Sequence, residues 1–271
     1  MSDLHELFVR WAQRTLGRNA RVVSKTALKL KTTQKTWLLR VEQAHASTSV
    51  VLKTSPIEWY SGGPMTEEVV LPLAEELGLP APRLLGVDVN EQAEVTVVLS
   101  TLLPGDSTLP AEAPLLRLRS LGSAAARLHA IPMSARPGLP HHKRPVPYDP
   151  YVPDRREGKA PTTALLEEAD RVVSAMRPPD ADPVLVHGDY HPGNTMWLGD
   201  AFVGYIDWDT AGVGRPGIDL GWCRLETALH YSEEAADQIL LGWRDETGGN
   251  RRVRSSRRAL VGRDASWPRR R

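Results

Sequence analysis

The residues able to do chemistry gather in one stretch of this 271-residue chain, Val184–Asp209, which reads VLVHGDYHPGNTMWLGDAFVGYIDWD. Val184-Leu185-Val186 is an apolar run that can anchor a strand. The next eight residues, His187-Gly188-Asp189-Tyr190-His191-Pro192-Gly193-Asn194, cannot continue a regular element, because two glycines and a proline interrupt them. They form a loop rooted in a rigid strand, a common place for reactive groups. Thr195–Leu198 and Phe202–Trp208 then read as a hairpin turning at Gly199-Asp200-Ala201. If Leu198 pairs with Phe202, Asn194 falls opposite Ile206 and beside Asp207. Neighbouring strands lie about 4.8 Å apart, so the side-chain oxygens of Asn194 and Asp207 can converge on one hard cation. Asp207 and Asp209 alternate with Trp208 and can share a face, with Asp189 on the incoming loop beside them. Carboxylates this close repel one another unless a metal or strong donors compensate. Oxygen-only ligands favour Mg2+ over zinc. Taken singly, each of these residues is an ordinary turn former. What singles out the stretch is the ordered set: Asp, Asn five positions later, and Asp thirteen beyond that, between β-patterned residues.

The elements that must position these residues follow from patterning. Met1–Gly17 has no apolar run fit for a signal peptide, and its Leu4, Leu7, Phe8, Trp11 and Leu16 fit an amphipathic helix. Val22–Leu30, Trp37–Val41 and Val50–Lys53 are short β-favouring stretches separated by polar turns. Thr66–Leu77 reads as a helix with Thr66 as N-cap and Gly78 as stop, although Pro72 lies inside it. Leu84–Val89 and Val95–Leu99 are two more strands, and Leu103-Pro104-Gly105-Asp106 is a turn. The period then changes. Leu115, Leu118, Leu121, Ala125, Leu128 and Ile131 follow helical spacing, as do Thr163–Met176 and Leu220–Trp243. Residues 132–161 are rich in proline and read as an irregular excursion. The fold class expected is α+β, an antiparallel sheet carrying one main helix, followed by a mostly helical part.

Composition sets the outer bounds. Hydrophobic residues are 41% and charged residues 25% of the chain, the profile of a globular protein with a sizeable core. No apolar stretch approaches the roughly 18 residues of a membrane span. Cys223 is the only cysteine, which excludes an intrachain disulfide, suits a reducing cytoplasm and reads as a small buried residue. The net charge of +1 hides blocks: residues 1–150 carry net +3, 151–242 net −9 and 243–271 net +7. The acidic block is compatible with metal ions, a cationic substrate or a solvated helix surface. The segment 250–271 is arginine-rich, lacks apolar periodicity and is expected to be disordered or a non-native end. Nucleic acid is not an expected partner.

HGDYHPGN followed by IDWD closely resembles the aminoglycoside phosphotransferase-like family of small-molecule kinases, distant relatives of protein kinases. The resemblance runs from about Val22 to about Gly248 and is most specific at 184–226. It implies a bilobal protein-kinase-like fold, with residues 1–102 as the nucleotide-binding lobe and 103–249 as the catalytic and substrate lobe. It implies ATP and Mg2+ as cofactors and a hydroxyl of a small molecule as acceptor, such as an aminoglycoside, a macrolide, an amino alcohol or a sugar. Carried over residue by residue, Asp189 is the catalytic base, and Asn194 and Asp207 bind Mg2+. Lys53 of Val50-Val51-Leu52-Lys53 contacts the α- and β-phosphates, and Glu67 is its partner, with Glu68 as the competing choice. Leu99-Ser100-Thr101-Leu102 is the hinge, where Ser100 and Leu102 offer backbone groups to adenine. Asp219 reads as a structural cap and His129 as a packed residue. His191 is a substrate-side or packing histidine.

Departures from the family pattern define the alternatives. The turn at Lys31–Lys35 has no glycine, so Thr32, Thr33 and backbone amides would stand in for a glycine-rich phosphate cover. The 250–271 segment does not look like helices that complete a substrate pocket. Both features fit a nucleotide-binding protein without transfer activity. A metal-dependent hydrolase built on His187, Asp189 and His191 would need zinc or manganese and no ATP, and the Lys53 and Glu67 context argues against it. Protein-kinase activity fits less well, because Asp207-Trp208-Asp209 lacks the Phe-Gly that follows a metal aspartate and no APE follows.

Overall fold

The period-two stretches between residues 20 and 101 fold into one five-stranded antiparallel sheet. The computed structural model describes residues 2–30, 34–43, 46–60, 62–142, 155, 157–175 and 182–257. In it β1 (Ala20–Leu30), β2 (Lys35–Gln43), β3 (Ala46–Pro56), β4 (Leu84–Asn90) and β5 (Val95–Thr101) lie in the order β1-β2-β3-β5-β4. Side-chain alternation splits the sheet into two faces. One buries Trp37, Leu39, Val50, Leu52, Val97 and Leu99 against Phe8 and Ala12 of α1 (Ser2–Leu16). The other carries Thr36, Leu38, Val51, Lys53, Val98 and Ser100, which line a cavity.

Between β3 and β4 runs α2 (Thr66–Glu76), which buries Val70, Leu71 and Ala74. Its N-cap is Met65 rather than Thr66, which is the first helical residue. The backbone N–H of Met65 donates to the Glu68 carboxylate at 3.1 Å, closing the helix start from within. Pro72 is accommodated inside the helix, which continues to Glu76.

Beyond the sheet come α3 (Leu115–Leu128), α4 (Ala164–Ala175), α5 (Gly217–His230) and α6 (Glu233–Arg257). Two small antiparallel pairs lie among them, β6 (Val184–Val186) with β9 (Gly212–Gly214) and β7 (Thr195–Leu198) with β8 (Ala201–Tyr205). The result is an α+β bilobal arrangement, sheet first and helices after. α3 and α6 come into backbone contact: a Cβ on Gly122 would lie 1.9 Å from the Ile239 carbonyl oxygen, so only glycine fits. The helical stretch read as continuous from Leu220 to Trp243 is two helices. Ser232 starts the second by accepting the Ala235 N–H at 3.2 Å, with Glu233 and Glu234 in the first turn. α6 also runs on to Arg257, into the segment expected to lack structure; arginine is a good helix former. The remaining 258–271 lie outside the described residues, as do 143–154 of the proline-rich excursion. Its nearer part is not a free loop. Pro140 and His142 bond the backbone of Val213 in β9, each at 2.8 Å. Among the described residues, no helix is long and apolar enough to cross a membrane.

Candidate active site

The hairpin that delivers Asn194 and Asp207 differs from its expected form at the tip and agrees at the base. Leu198 pairs with Ala201 and Trp197 with Phe202, leaving a two-residue turn, Gly199-Asp200. An irregularity between Trp197 and Met196 absorbs one extra residue, so Met196 pairs with Gly204 and Thr195 with Tyr205. Ile206 N–H then donates to the Asn194 carbonyl at 3.0 Å, placing Asn194 opposite Ile206. The second strand was expected to reach Trp208 but ends at Tyr205. The reason is Asp207, whose φ of 65° lies in the left-handed region, a conformation that costs about 1–2 kcal/mol for a residue with a Cβ. Trp208 is fully buried in the core, while Asp207 and Asp209 both reach Lys53.

Lys53 is the focus of charge. Its Nζ lies 2.7 Å from Glu67, 3.1 Å from Asp207 and 3.3 Å from Asp209. Burial alone would depress this ammonium, but Glu67, Asp209 and Asp207 outweigh it and hold the Lys53 pKa above its ordinary value. Burial lifts the Glu67 carboxyl to about 7, and Asp209 and Asp207 add to the rise against the opposing pull of Lys53. Glu67 is thus the glutamate on Lys53, and Glu68 is spent on the helix cap. One ammonium against three carboxylates leaves an excess of negative charge, a setting that favours a cation.

Asp189 and Asn194 form a second, linked group. The Asn194 amide donates both to the Asp189 carbonyl and to Asp189 Oδ2, each at 2.9 Å. With both amide hydrogens committed, Oδ1 is the Asn194 atom left for a cation. The other Asp189 oxygen, Oδ1, accepts the indole N–H of Trp222 at 2.9 Å.

The loop holding Asp189 is fixed from beneath. Asp219, fully buried at the start of α5, accepts the backbone N–H of His187 at 2.9 Å and of Gly188 at 2.8 Å. It also meets His129 Nε2 at 2.9 Å, and Trp243 of α6 donates to His129 Nδ1 at 3.1 Å. Despite burial, these donors keep the Asp219 carboxyl below its ordinary value. Gly188 has φ 84°, and a Cβ there would lie 2.0 Å from the Thr210 carbonyl oxygen. His187 is buried, packs its ring at a tilt against Trp208 with centroids 4.7 Å apart, and has Nε2 3.0 Å from the Ile206 carbonyl.

A cavity of about 570 Å³ lies between the two groups. Val51, Lys53 and Glu67 from the sheet and α2 line it together with Asn194, Ile206 and Asp207. Asp189 is not among its lining residues and reaches it through Asn194. Ser100 and Leu102 also line it, though not as one hinge. β5 continues through Ser100 to Thr101, because Thr101 still bonds Arg83 through both its N–H and its hydroxyl. The chain leaves the ladder only at Leu102.

Several features escaped the sequence reading. Gln34, buried just after the glycine-less turn, donates to Asp209 Oδ2 at 2.8 Å and to Ser55 Oγ at 3.2 Å, bridging the sheet to the DWD segment. Thr32 and Thr33 of that turn lie outside the described residues. Trp222 follows Asp219 by three positions on α5 and so shares its loop-facing side, a signal present in the sequence. His187, Asp189 and His191 do not converge as metal ligands. His187 points to Ile206, His191 Nδ1 accepts the Gly193 N–H at 3.1 Å, and His191 Nε2 is 3.8 Å from Asp189. Among the described residues, no group of three His, Cys, Asp or Glu side chains is arranged to hold a metal alone. One amide oxygen and one carboxylate suit a hard ion that takes its other ligands from phosphates and water.

Comparison with known proteins bears on family and fold. The sequence profile of the phosphotransferase enzyme family (APH) matches residues 26–259. Among solved structures, a macrolide 2'-phosphotransferase, MphH from Brachybacterium faecium, superposes with a TM-score of 0.60 at 19% identity, covering 89% of this chain and 83% of that one. An aminoglycoside-3'-phosphotransferase of type VIII gives a TM-score of 0.55 at 20% identity, covering 89% and 92%. Amicoumacin kinase hAmiN, solved with AMP-PNP, Ca2+ and Ami, gives 0.59 at 16% identity, covering 82% and 72%. At these identities the likeness establishes the shared fold. No curated protein matches in sequence.

Proposed function

Because the chain belongs to the phosphotransferase enzyme family, we propose that it moves the γ-phosphoryl group of ATP to a hydroxyl of a small molecule. The observation that carries this reading is the pairing of Lys53 with Glu67 and Asp207 on a cavity also lined by Asn194, itself bonded to Asp189. A buried ammonium held rigidly by carboxylates is suited to the phosphates of a nucleotide. Leu102, just past the end of the sheet, would offer its backbone to the adenine, with Ser100 lining the same cavity. Asn194 and Asp207 would hold Mg2+, which when bound neutralises charge on the phosphate oxygens. Asp189 accepts the proton of the acceptor hydroxyl and, above all, orients that hydroxyl towards phosphorus. Asp219 and Gly188 keep the Asp189 loop fixed, so that little reorganisation is needed on reaction. Catalysis of this kind rests mainly on positioning and electrostatics.

The relatives of this fold include enzymes named for macrolides and aminoglycosides, which makes hydroxylated antibiotics the first acceptors to try, with amino alcohols and sugars after them. The single buried cysteine suits a cytoplasmic enzyme. The test is acceptor-dependent release of ADP from Mg2+–ATP by the purified protein across a panel of hydroxylated compounds. Release with at least one acceptor, above the rate with water alone, is the expected result. ATP binding with no acceptor-dependent release would favour a nucleotide-binding protein without transfer activity.

A further inference from the structure

Asp189 has a neighbour that the phosphoryl-transfer machinery does not account for. Trp222 presents its indole N–H to Asp189 Oδ1 at 2.9 Å, yet its ring stays 38% exposed. A tryptophan that only filled the core would be buried on both faces, as Trp208 is. The opposite oxygen, Oδ2, is held by Asn194 at 2.9 Å, so the two donors fix the carboxylate plane from both ends. Along α5, Leu225 and Leu229 follow Trp222 at helical spacing and are 49% and 76% exposed. An uncovered apolar stripe thus begins at the residue that grips the base. Meanwhile, several of the acids that suggested a cationic acceptor already have partners. Asp170 meets Arg155, Asp200 meets Arg117 and Asp237 meets Arg224, while Asp207 and Asp209 meet Lys53.

We propose that Trp222 is a positioning residue for Asp189 and the head of an apolar acceptor wall on α5, so that the phosphorylated hydroxyl belongs to a molecule with an apolar face rather than to a polycation. This rests on the phosphotransfer reading above. The N–H fixes which carboxylate oxygen receives the hydroxyl proton. The ring, with Leu225 beyond it, takes the apolar face of the acceptor and removes it from water, bringing the hydroxyl beside the base.

The test compares the wild type with Trp222→Phe and Trp222→Ala on two sets of hydroxylated compounds, one with an apolar face, such as erythromycin, and one polycationic, such as streptomycin and hygromycin B. Acceptor-dependent ADP release is expected from the first set. Trp222→Phe, which keeps a ring and loses the donor, should lower kcat by roughly ten- to a hundredfold, the value of one hydrogen bond to a charged group, with acceptor KM unchanged. Trp222→Ala should also raise acceptor KM, while Mg2+–ATP affinity stays at the wild-type value in both. Turnover confined to the polycations, or an unchanged kcat in Trp222→Phe, overturns the proposal and leaves phosphotransfer standing. If no compound supports ADP release, phosphotransfer itself falls. Calorimetric binding of the first set then decides the wall, since binding weakened in Trp222→Ala supports it and equal or absent binding overturns it.

Discussion

Lys53 touches three carboxylates at 2.7–3.3 Å, and that crowding gives the residue scale its sharpest consequence. Asp207 serves both the ammonium and, on the proposed reading, the metal. Asp207→Ala should therefore abolish the Mg2+-dependent part of ATP binding measured by calorimetry, and an unchanged Mg2+–ATP affinity would count against the metal role. Asp219 makes a prediction in pH. Its folded carboxyl lies below the ordinary value, so the folded state gives up its proton more readily than the unfolded chain. The stabilisation is complete above the ordinary carboxylate pKa of about 4 and drains away as pH falls below it. Asp219→Ala, which strands two backbone N–H groups and His129, should lower unfolding free energy at neutral pH by about 3–5 kcal/mol. It should also flatten the acid limb of a urea-denaturation series, and an acid limb as steep as the wild type would refute that assignment. The residues legible in advance were those with a fixed chain spacing, Asp189, Asn194 and Asp207. Gln34 was not, because a neutral amide carries no such signature until the fold brings it to Asp209, and Trp222 offered only its three-residue spacing from Asp219 on one helix.

At the level of elements, strand and helix existence followed from periodicity, and boundaries followed from local bonds that periodicity does not encode. The split at Ser232 was written in the sequence as a capping serine before two glutamates, but a continuous apolar pattern masked it. The hairpin tip was misread by one residue, and the irregularity next to Trp197 cancels that error before the chain reaches Asn194. The strand end at Tyr205 could not be read from type alone, since Asp207 leaves the strand by adopting a positive φ. The packing of α3 on α6 supplies the test at this scale. With the Ile239 carbonyl 1.9 Å from a Cβ at position 122, Gly122→Val forces the helices apart. That should cost about 1–3 kcal/mol or more, read as a fall in Tm of several degrees. An unchanged Tm would mean that the two helices do not meet as closely as described.

For the molecule as a whole, the proposed function depends on the sheet and the helical part meeting at one cavity. The sheet brings Lys53 and the helical part brings Asn194 and Asp207, and Gln34 ties the two together through Asp209. The α+β class and the order of the parts were evident from the switch in period after residue 104. The acceptor side was not, because charge counted along the chain does not reveal which acids already have partners. All of these contacts serve one claim, that phosphorus leaves ATP for a hydroxyl and not for water. The direct test is 31P NMR of ATP with Mg2+, an acceptor found by ADP release, and either the wild type or Asp189→Ala. The account predicts a phosphate monoester resonance growing in step with ADP in the wild type, at a rate several orders of magnitude lower in the variant. ADP accompanied only by inorganic phosphate, or a monoester formed equally fast without the Asp189 carboxylate, would contradict it.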